Sequence, residues 1–209
     1  QTPGSLRPDK LRDAADFLSK IKRDNLVLVW ETRGPAWDNP EVREKLAERL
    51  EALNVVHVTD PFKTLPVYTE DLAYFRLHGL GKQLYYYQYT DDELKELRKL
   101  LQPFERDGKE VYVLFNNLAM FNDGLRFKSY IETAKFPSLT GTVGIESVKS
   151  VIGKTHYPVE KSTLLERLGW RLVEIEEGRQ IRLSELLKET PSKTYKDSQE
   201  VLRGIRLHS

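Results

Sequence analysis

The sequence predicts an α/β fold, a parallel sheet flanked by helices, on three observations. Over the first 138 residues, short hydrophobic runs alternate with helix-like stretches across short connections. The runs are continuously apolar rather than alternating, as strands covered on both faces are. Each run also turns polar only at its carboxyl end: Val27-Leu28-Val29-Trp30-Glu31-Thr32-Arg33-Gly34, Val55-Val56-His57-Val58-Thr59-Asp60-Pro61, Tyr74-Phe75-Arg76-Leu77-His78-Gly79 and Val111-Tyr112-Val113-Leu114-Phe115-Asn116-Asn117. In parallel α/β folds the working groups gather at the carboxyl ends of the strands.

The elements follow in order. Pro8 precedes a helix with Leu11, Ala14, Ala15, Leu18 and Ile21 on one face, and a strand is expected over 26–30. Asn39-Pro40 gives an N-cap and a first-turn proline to a helix whose stripe is Val42, Leu46, Ala47, Leu50 and Leu53, ended by Asn54. Strands over 55–58 and 73–77 are separated by a proline-punctuated connection. The loop 79–89 is glycine-bounded and rich in tyrosine. Thr90 and Glu93 form a capping box for the helix of Leu94, Leu97, Leu100 and Leu101. Asp107-Gly108 turns the chain into a strand over 111–115, and a helix near 122–134 closes the region. Beyond it, a helix over 163–168, a short strand over 172–175, a helical stretch over 181–187 and a last helix capped by Asp197 or Ser198 are expected. Four strands are clear, and a fifth is expected to run out at Gln1.

Composition bounds the rest. Net charge is +1 in 209 residues, which gives no global case for nucleic acid or a membrane. No apolar run approaches the ~20 residues needed to span a bilayer. The absence of cysteine removes disulfides, thiolate metal sites and cysteine nucleophiles. A cytoplasmic protein is the expectation. No phosphate-binding glycine loop, dinucleotide fingerprint or hydrolase elbow occurs. The chain opens Gln1-Thr2-Pro3-Gly4-Ser5 without an initiator methionine and is expected to be a fragment entering mid-domain.

Glu31-Thr32-Arg33-Gly34-Pro35-Ala36-Trp37, then Tyr74-Phe75-Arg76-Leu77-His78-Gly79, then Tyr85-Tyr86-Tyr87-Gln88-Tyr89-Thr90-Asp91-Asp92-Glu93-Leu94, then the run ending in Asn116-Asn117, occur in one order. That set resembles the YecE-like family, domain of unknown function 72, over roughly residues 1–138. The resemblance implies a TIM-barrel-like sheet of which this chain holds strands four to eight, its first three being absent. Gly34-Pro35 after Arg33 departs from the family pattern, where bulkier or imidazole residues are common. The resulting expectation is a partial TIM-barrel-like domain at 1–138, a linker at 139–150 and a small, mostly helical domain at 151–209. The last is more loosely similar to small domains of unknown function opening with a pattern like Tyr157-Pro158-Val159-Glu160-Lys161-Ser162-Thr163-Leu164. The family leaves the activity unassigned.

Glu31 and Asp60 at strand ends suit general acid–base work or hard-metal ligation, and Glu31 equally suits a structural pair with Arg33 or Arg76. Asp60 before Pro61 is also a good turn former. Arg76 and His78 are two apart, so alternation puts them on one face, where they could grip an anion with His78 as proton donor. Of Asn116 and Asn117, only one can face the strand-end mouth. Tyr85 and Tyr87 belong to a loop that could stack on a sugar or base or pack the rim, and Trp37 is a candidate for lining the mouth. His57, mid-strand, reads as structural. Two functions are thus expected in competition. One is binding of a small polar or anionic ligand at the barrel mouth, with hydrolase or lyase chemistry by Glu31, His78 and Asp60, and Arg33, Arg76 and the asparagines as ligand contacts. The other is a non-catalytic nucleic-acid or protein-binding module. No cofactor or metal is specified by the residues.

Overall fold

A computed structural model describes residues 2–207; Gln1, and with it the expected fifth strand, lies outside the described residues. The chain forms two compact units, the first built from residues up to His78 together with Lys95–Asn116, the second from Gly79–Leu94 together with Asn117 onward.

In the first unit, a 3-10 turn at Pro8–Lys10 leads into α1 (Leu11–Ser19), β1 (Leu28–Glu31), a 3-10 turn at Pro35–Asp38, α2 (Pro40–Leu53), β2 (Val55–Val58) and β3 (Leu72–Leu77). α3 (Asp91–Arg106) contributes its residues from Lys95 on, and β4 (Glu110–Phe115) follows. α2 starts where its caps dictate. The Asn39 carboxamide oxygen accepts the N–H of Glu41 at 3.0 Å and of Val42 at 3.4 Å, Pro40 occupies the first helical position, and Asn54 closes the helix in the left-handed conformation. α1 and α2 bury Leu11, Leu18, Leu46 and Leu50 against Trp30, Trp37 and Val55, each side chain contributing roughly 1.5–3 kcal/mol of hydrophobic stabilisation.

β1 runs parallel to β2, with Glu31 opposite Val58, and β3 runs parallel to β4, with Arg76 opposite Leu114. A parallel bridge between Thr59 and Phe75 joins the pairs, and the Arg76 N–H donates to the Thr59 carbonyl at 2.9 Å. The spatial order is therefore β1-β2-β3-β4 with all carboxyl ends on one side. The order is open; among the described residues no barrel closes.

Three local expectations are corrected here. The first strand begins at Leu28, because Leu26 and Val27 are exposed. Coverage of both sheet faces holds for β2, which is buried throughout, but not for β3 and β4. Ala73, Phe75 and Leu77 are buried, with Phe75 edge-on to Phe104 of α3 at 5.1 Å. On the opposite face Tyr74 stacks on Tyr112 at 5.9 Å, and Tyr112 and Leu114 remain exposed. Third, the stretch expected as a linker, 139–150, contains the start of a helix, because Ser147, Val148, Val151 and Ile152 turn inward at helical spacing.

That helix belongs to the second unit, which comprises α4 (Met120–Thr133), α5 (Ile145–Ile152), β5 (Val159–Glu160), α6 (Lys161–Leu168), β6 (Leu172–Glu176), β7 (Arg179–Arg182), α7 (Leu183–Leu187), β8 (Thr194–Tyr195) and α8 (Ser198–Gly204). β5 pairs with β8 and β6 with β7, both antiparallel. The region combines helices with two short antiparallel strand pairs. Residues 181–187, expected as one helix, open as strand because Ile181 and Arg182 pair with Val173 and Leu172; the helix starts only at Leu183. Val148, Ile152, Leu164, Val173, Leu183, Leu187, Tyr195 and Val201 form the core. Asp197 caps α8, accepting the Glu200 N–H at 2.8 Å. No helix among the described residues is long and apolar enough to cross a membrane.

Candidate functional site

β1, β2 and β3 end side by side, so the residues at their carboxyl ends meet. Glu31, the last residue of β1 and 7% exposed, is the centre. Arg76 of β3 donates from Nη1 to Glu31 Oε2 at 2.6 Å, and His78 Nε2 lies 3.2 Å from Glu31 Oε1. The two-residue spacing of Arg76 and His78 brings both to one carboxylate, as alternation requires. His78 is 5% exposed, whereas the Arg76 side chain keeps 24% of its surface open to solvent.

The electrostatics follow. Burial alone would raise the Glu31 pKa, but hydrogen bonds from His78 and Arg76, with their charges, hold it at about 2. Glu31 is therefore a carboxylate throughout the physiological range, a poor proton acceptor and no proton donor. His78 thus turns its Nε2 edge to that carboxylate.

Asp60, just beyond β2, holds the backbone of this cluster. Its Oδ2 accepts the His78 N–H at 3.3 Å and its Oδ1 accepts the Phe62 N–H at 3.2 Å, while Lys63 Nζ stands 3.9 Å away. Burial pushes the Asp60 carboxyl up, opposed by the His78 N–H and the Lys63 charge. His57, one residue ahead of Val58, is buried with Nε2 3.0 Å from Thr32 Oγ1 and Nδ1 accepting the Val67 N–H at 3.2 Å, the structural role its position suggested.

Of the other sequence candidates, Trp37 and Asn116 fall elsewhere. Arg33 is half-buried two residues beyond Glu31. Trp37 is in the apolar core, edge-on to Trp30 at 5.6 Å with its indole N–H on the Leu6 carbonyl at 3.1 Å, because the 3-10 turn after β1 folds it inward. Asn116 extends the strand ladder, its N–H donating to the Leu77 carbonyl at 2.8 Å.

Asn117, Tyr85 and Tyr87 belong to the second unit, where they meet a buried polar network. Asn117 Nδ2 donates to the Tyr87 carbonyl at 2.8 Å and to Asp123 Oδ2 at 2.7 Å. Tyr85, at φ +69°, accepts the Leu118 N–H on its carbonyl at 2.9 Å. The Tyr87 hydroxyl donates to Glu93 at 2.5 Å; burial and that bond push the phenol well above its ordinary pKa. At the heart of the network lies Arg126, 1% exposed, which donates to the Tyr89 carbonyl at 2.7 Å, to Asp123 at 3.2 Å and to Asp91 at 2.5 Å. Burial raises the Asp123 pKa to about 6, against the lowering effect of Asn117 and Arg126. Sequence reasoning missed Asp123 and Arg126. The available signal was an i,i+3 acid–base pair next to the buried Phe127 of an amphipathic helix.

Among the described residues no group of three His, Asp or Glu side chains is placed to hold a metal ion.

Comparison with known proteins agrees with the sequence resemblance. A family model described as a protein of unknown function, DUF72, matches residues 1–132, and one described as a family of unknown function, DUF5789, matches residues 142–207. Among curated proteins none matches the chain. Among solved structures, it is similar to a DUF72 family protein from Enterococcus faecalis V583 at 21% identity and TM-score 0.48, with 63% of this chain and 59% of that one covered. It is also similar to a DUF72 family protein from Thermotoga maritima MSB8 at 26% identity and TM-score 0.48, with 63% and 56% covered. The chain thus spans less than two thirds of the length of these relatives.

Proposed function

The chain belongs to the DUF72 family of proteins of unknown function, and from that premise we propose that it binds a small anionic ligand over the carboxyl ends of β1, β2 and β3. The observation that carries this reading is the shared carboxylate: Arg76 and His78 both meet the buried Glu31 at 2.6 and 3.2 Å. A carboxylate held at a pKa of about 2 does not work as an acid or an effective base. Its part is orientation. Glu31 fixes the plane of the Arg76 guanidinium and the tautomer of His78, as a carboxylate does behind a catalytic imidazole.

The roles follow from that. Arg76, partly open to solvent, anchors a carboxylate or phosphate of the ligand, a task its planar fork of donors suits. His78 moves the proton, which gives hydrolase or lyase chemistry as the concrete activity. Asp60 acts through the His78 backbone and is a positioning residue. We further read the open strand order as part of a TIM-barrel-like sheet of the YecE-like kind. The parallel strands, their common polar end and the exposed face of Tyr112 and Leu114 support that reading.

Isothermal titration of the full chain with phosphate, sulfate and small mono- and dicarboxylates tests the proposal. Heat of binding is expected for at least one of them, lost in Arg76→Met and reduced in Arg76→Lys, which keeps the charge without the fork. Binding of equal strength in the parent and in Arg76→Met would sink it.

A further inference from the structure

The tyrosine loop holds a second, separate opportunity within the second unit. Its glycines wrap the backbone around Tyr87: a Cβ on Gly79, at φ +93°, would stand 2.4 Å from the Tyr87 Cβ, and one on Gly81 would stand 3.1 Å from Tyr87 Cδ2. Tyr87 is thereby fixed as the floor of a cleft of about 460 Å³, within the ~300–1,000 Å³ range of small-molecule sites. Lys82, Tyr86, Glu166, Trp170 and Arg182 complete its walls.

The wall chemistry is specific. The Arg182 guanidinium lies 4.1 Å from the centroid of the Tyr87 ring, and its position is fixed by donation to the Trp170 carbonyl at 2.8 Å and the Gln88 carbonyl at 3.2 Å. Both acceptors are neutral, and among the described residues no ion pair cancels the charge of Arg182. Lys82, on the exposed part of the loop, has no carboxylate partner among the described residues either. Against these two cations stands one lining acid, Glu166. Tyr86 meets Trp170 edge-on at 6.2 Å, both rings are half-buried, and Arg171 backs the indole at 5.4 Å. Flat π-faces next to surplus positive charge match a planar ring that carries an anion. A neutral sugar would leave the cations unused, and an aliphatic acid would leave the rings unused.

We propose that this cleft binds a nucleotide, its base stacked in the angle of Tyr86 and Trp170 and its phosphate held by Lys82 and Arg182. The same chemistry is offered by a free mononucleotide and by the 5′-phosphorylated end of a single strand.

Titration of the full chain with AMP, UMP, adenosine, ribose 5-phosphate and a short 5′-phosphorylated single-stranded oligonucleotide, followed calorimetrically, tests the proposal. AMP or the oligonucleotide is expected to bind, with adenosine and ribose 5-phosphate weaker because each lacks half of the match. Similar affinity for AMP and the oligonucleotide identifies a mononucleotide pocket, and a strong preference for the oligonucleotide identifies a strand-end pocket. Trp170→Leu is expected to weaken binding roughly tenfold or more, the scale of lost base–aromatic stacking. Lys82→Glu, at an exposed position that leaves folding intact, weakens binding by reversing the charge and steepens no salt dependence. No heat from AMP, UMP or the oligonucleotide at on the order of 1 mM, or parent-like affinity in Lys82→Glu, would overturn the proposal.

Discussion

Val67 donates its backbone N–H to Nδ1 of His57 at 3.2 Å, which obliges that nitrogen to be unprotonated. Nε2 then carries the proton, toward Thr32 Oγ1. Burial, helped by the charge of Arg43, lowers the pKa from 6.5 to about 4. Between those values the unfolded chain binds the proton that the folded chain refuses, so stability is full above about pH 6.5 and falls as pH drops toward 4. The loss amounts to roughly 3 kcal/mol at most. Urea denaturation from pH 7.5 downward is expected to show this slope, and His57→Asn is expected to flatten it in that window.

Glu31 titrates in a lower window. Its folded pKa of about 2 lies below its ordinary 4.5, so its contribution is present above pH 4.5 and is lost as pH falls to 2. Glu31→Gln is expected to cost about 2 kcal/mol at neutral pH, since the partly solvated Arg76 recovers some hydration. The stability gap between parent and variant narrows on acidification. A constant gap down to pH 2 would mean that the Arg76 and His78 contacts do not stabilise the charged form.

Arg126 is the most demanding residue in the second unit. Arg126→Met leaves Asp123 buried without its cation and frees Asp91 and the Tyr89 carbonyl, so a loss of about 3–5 kcal/mol is expected in the urea midpoint analysis. Because burial already raises Asp123 to about 6, the penalty is expected to shrink near pH 5, where that carboxyl is protonated. Adding Asp123→Asn to Arg126→Met is expected to recover part of the loss at neutral pH.

Gly79→Ala places a methyl group 2.4 Å from the Tyr87 Cβ at a φ of +93°. Both backbone strain and the clash oppose it, at a cost of about 1–3 kcal/mol. Limited proteolysis is expected to cut the 79–89 loop faster in this variant, with the rest of the chain retained.

Local grammar carried most of the legible fold. Thr90 and Glu93 were readable as a capping box and form one: the Glu93 N–H donates to Thr90 Oγ1 at 3.2 Å and the Thr90 N–H to Glu93 Oε2 at 2.8 Å. Asn39 and Pro40 behave the same way, since a cap depends on neighbours within four residues. That Arg76 and His78 share one face was readable from strand alternation, whereas the partner of Glu31 was left open between Arg33 and Arg76, because which strands lie side by side depends on the tertiary fold. What resisted reading depends on partners far along the chain. Arg126 is explained by Tyr89 and Asp91, 37 and 35 residues away. Ile181 and Arg182 have a composition that suits helix or strand, and pairing with β6 decides. Trp37 follows a strand end as a mouth residue would, yet the tight turn at Pro35–Asp38 rotates it into the core.

Gln88 gives the chain an unusual inheritance. Its Oε1 accepts the Leu172 N–H at 3.0 Å, its carbonyl accepts Arg182 at 3.2 Å, and nearby the Asp91 N–H donates to Gln180 at 3.1 Å. Gln88 and Asp91 lie in the segment matched by one family, and Leu172, Gln180 and Arg182 in the segment matched by another. The seam between two ancestries is therefore not a seam in the fold. Exchanging only the later segment would leave the buried Gln88 side chain without its Leu172 partner and the half-buried Asp91 and Arg182 without theirs, so the two stretches are a matched pair.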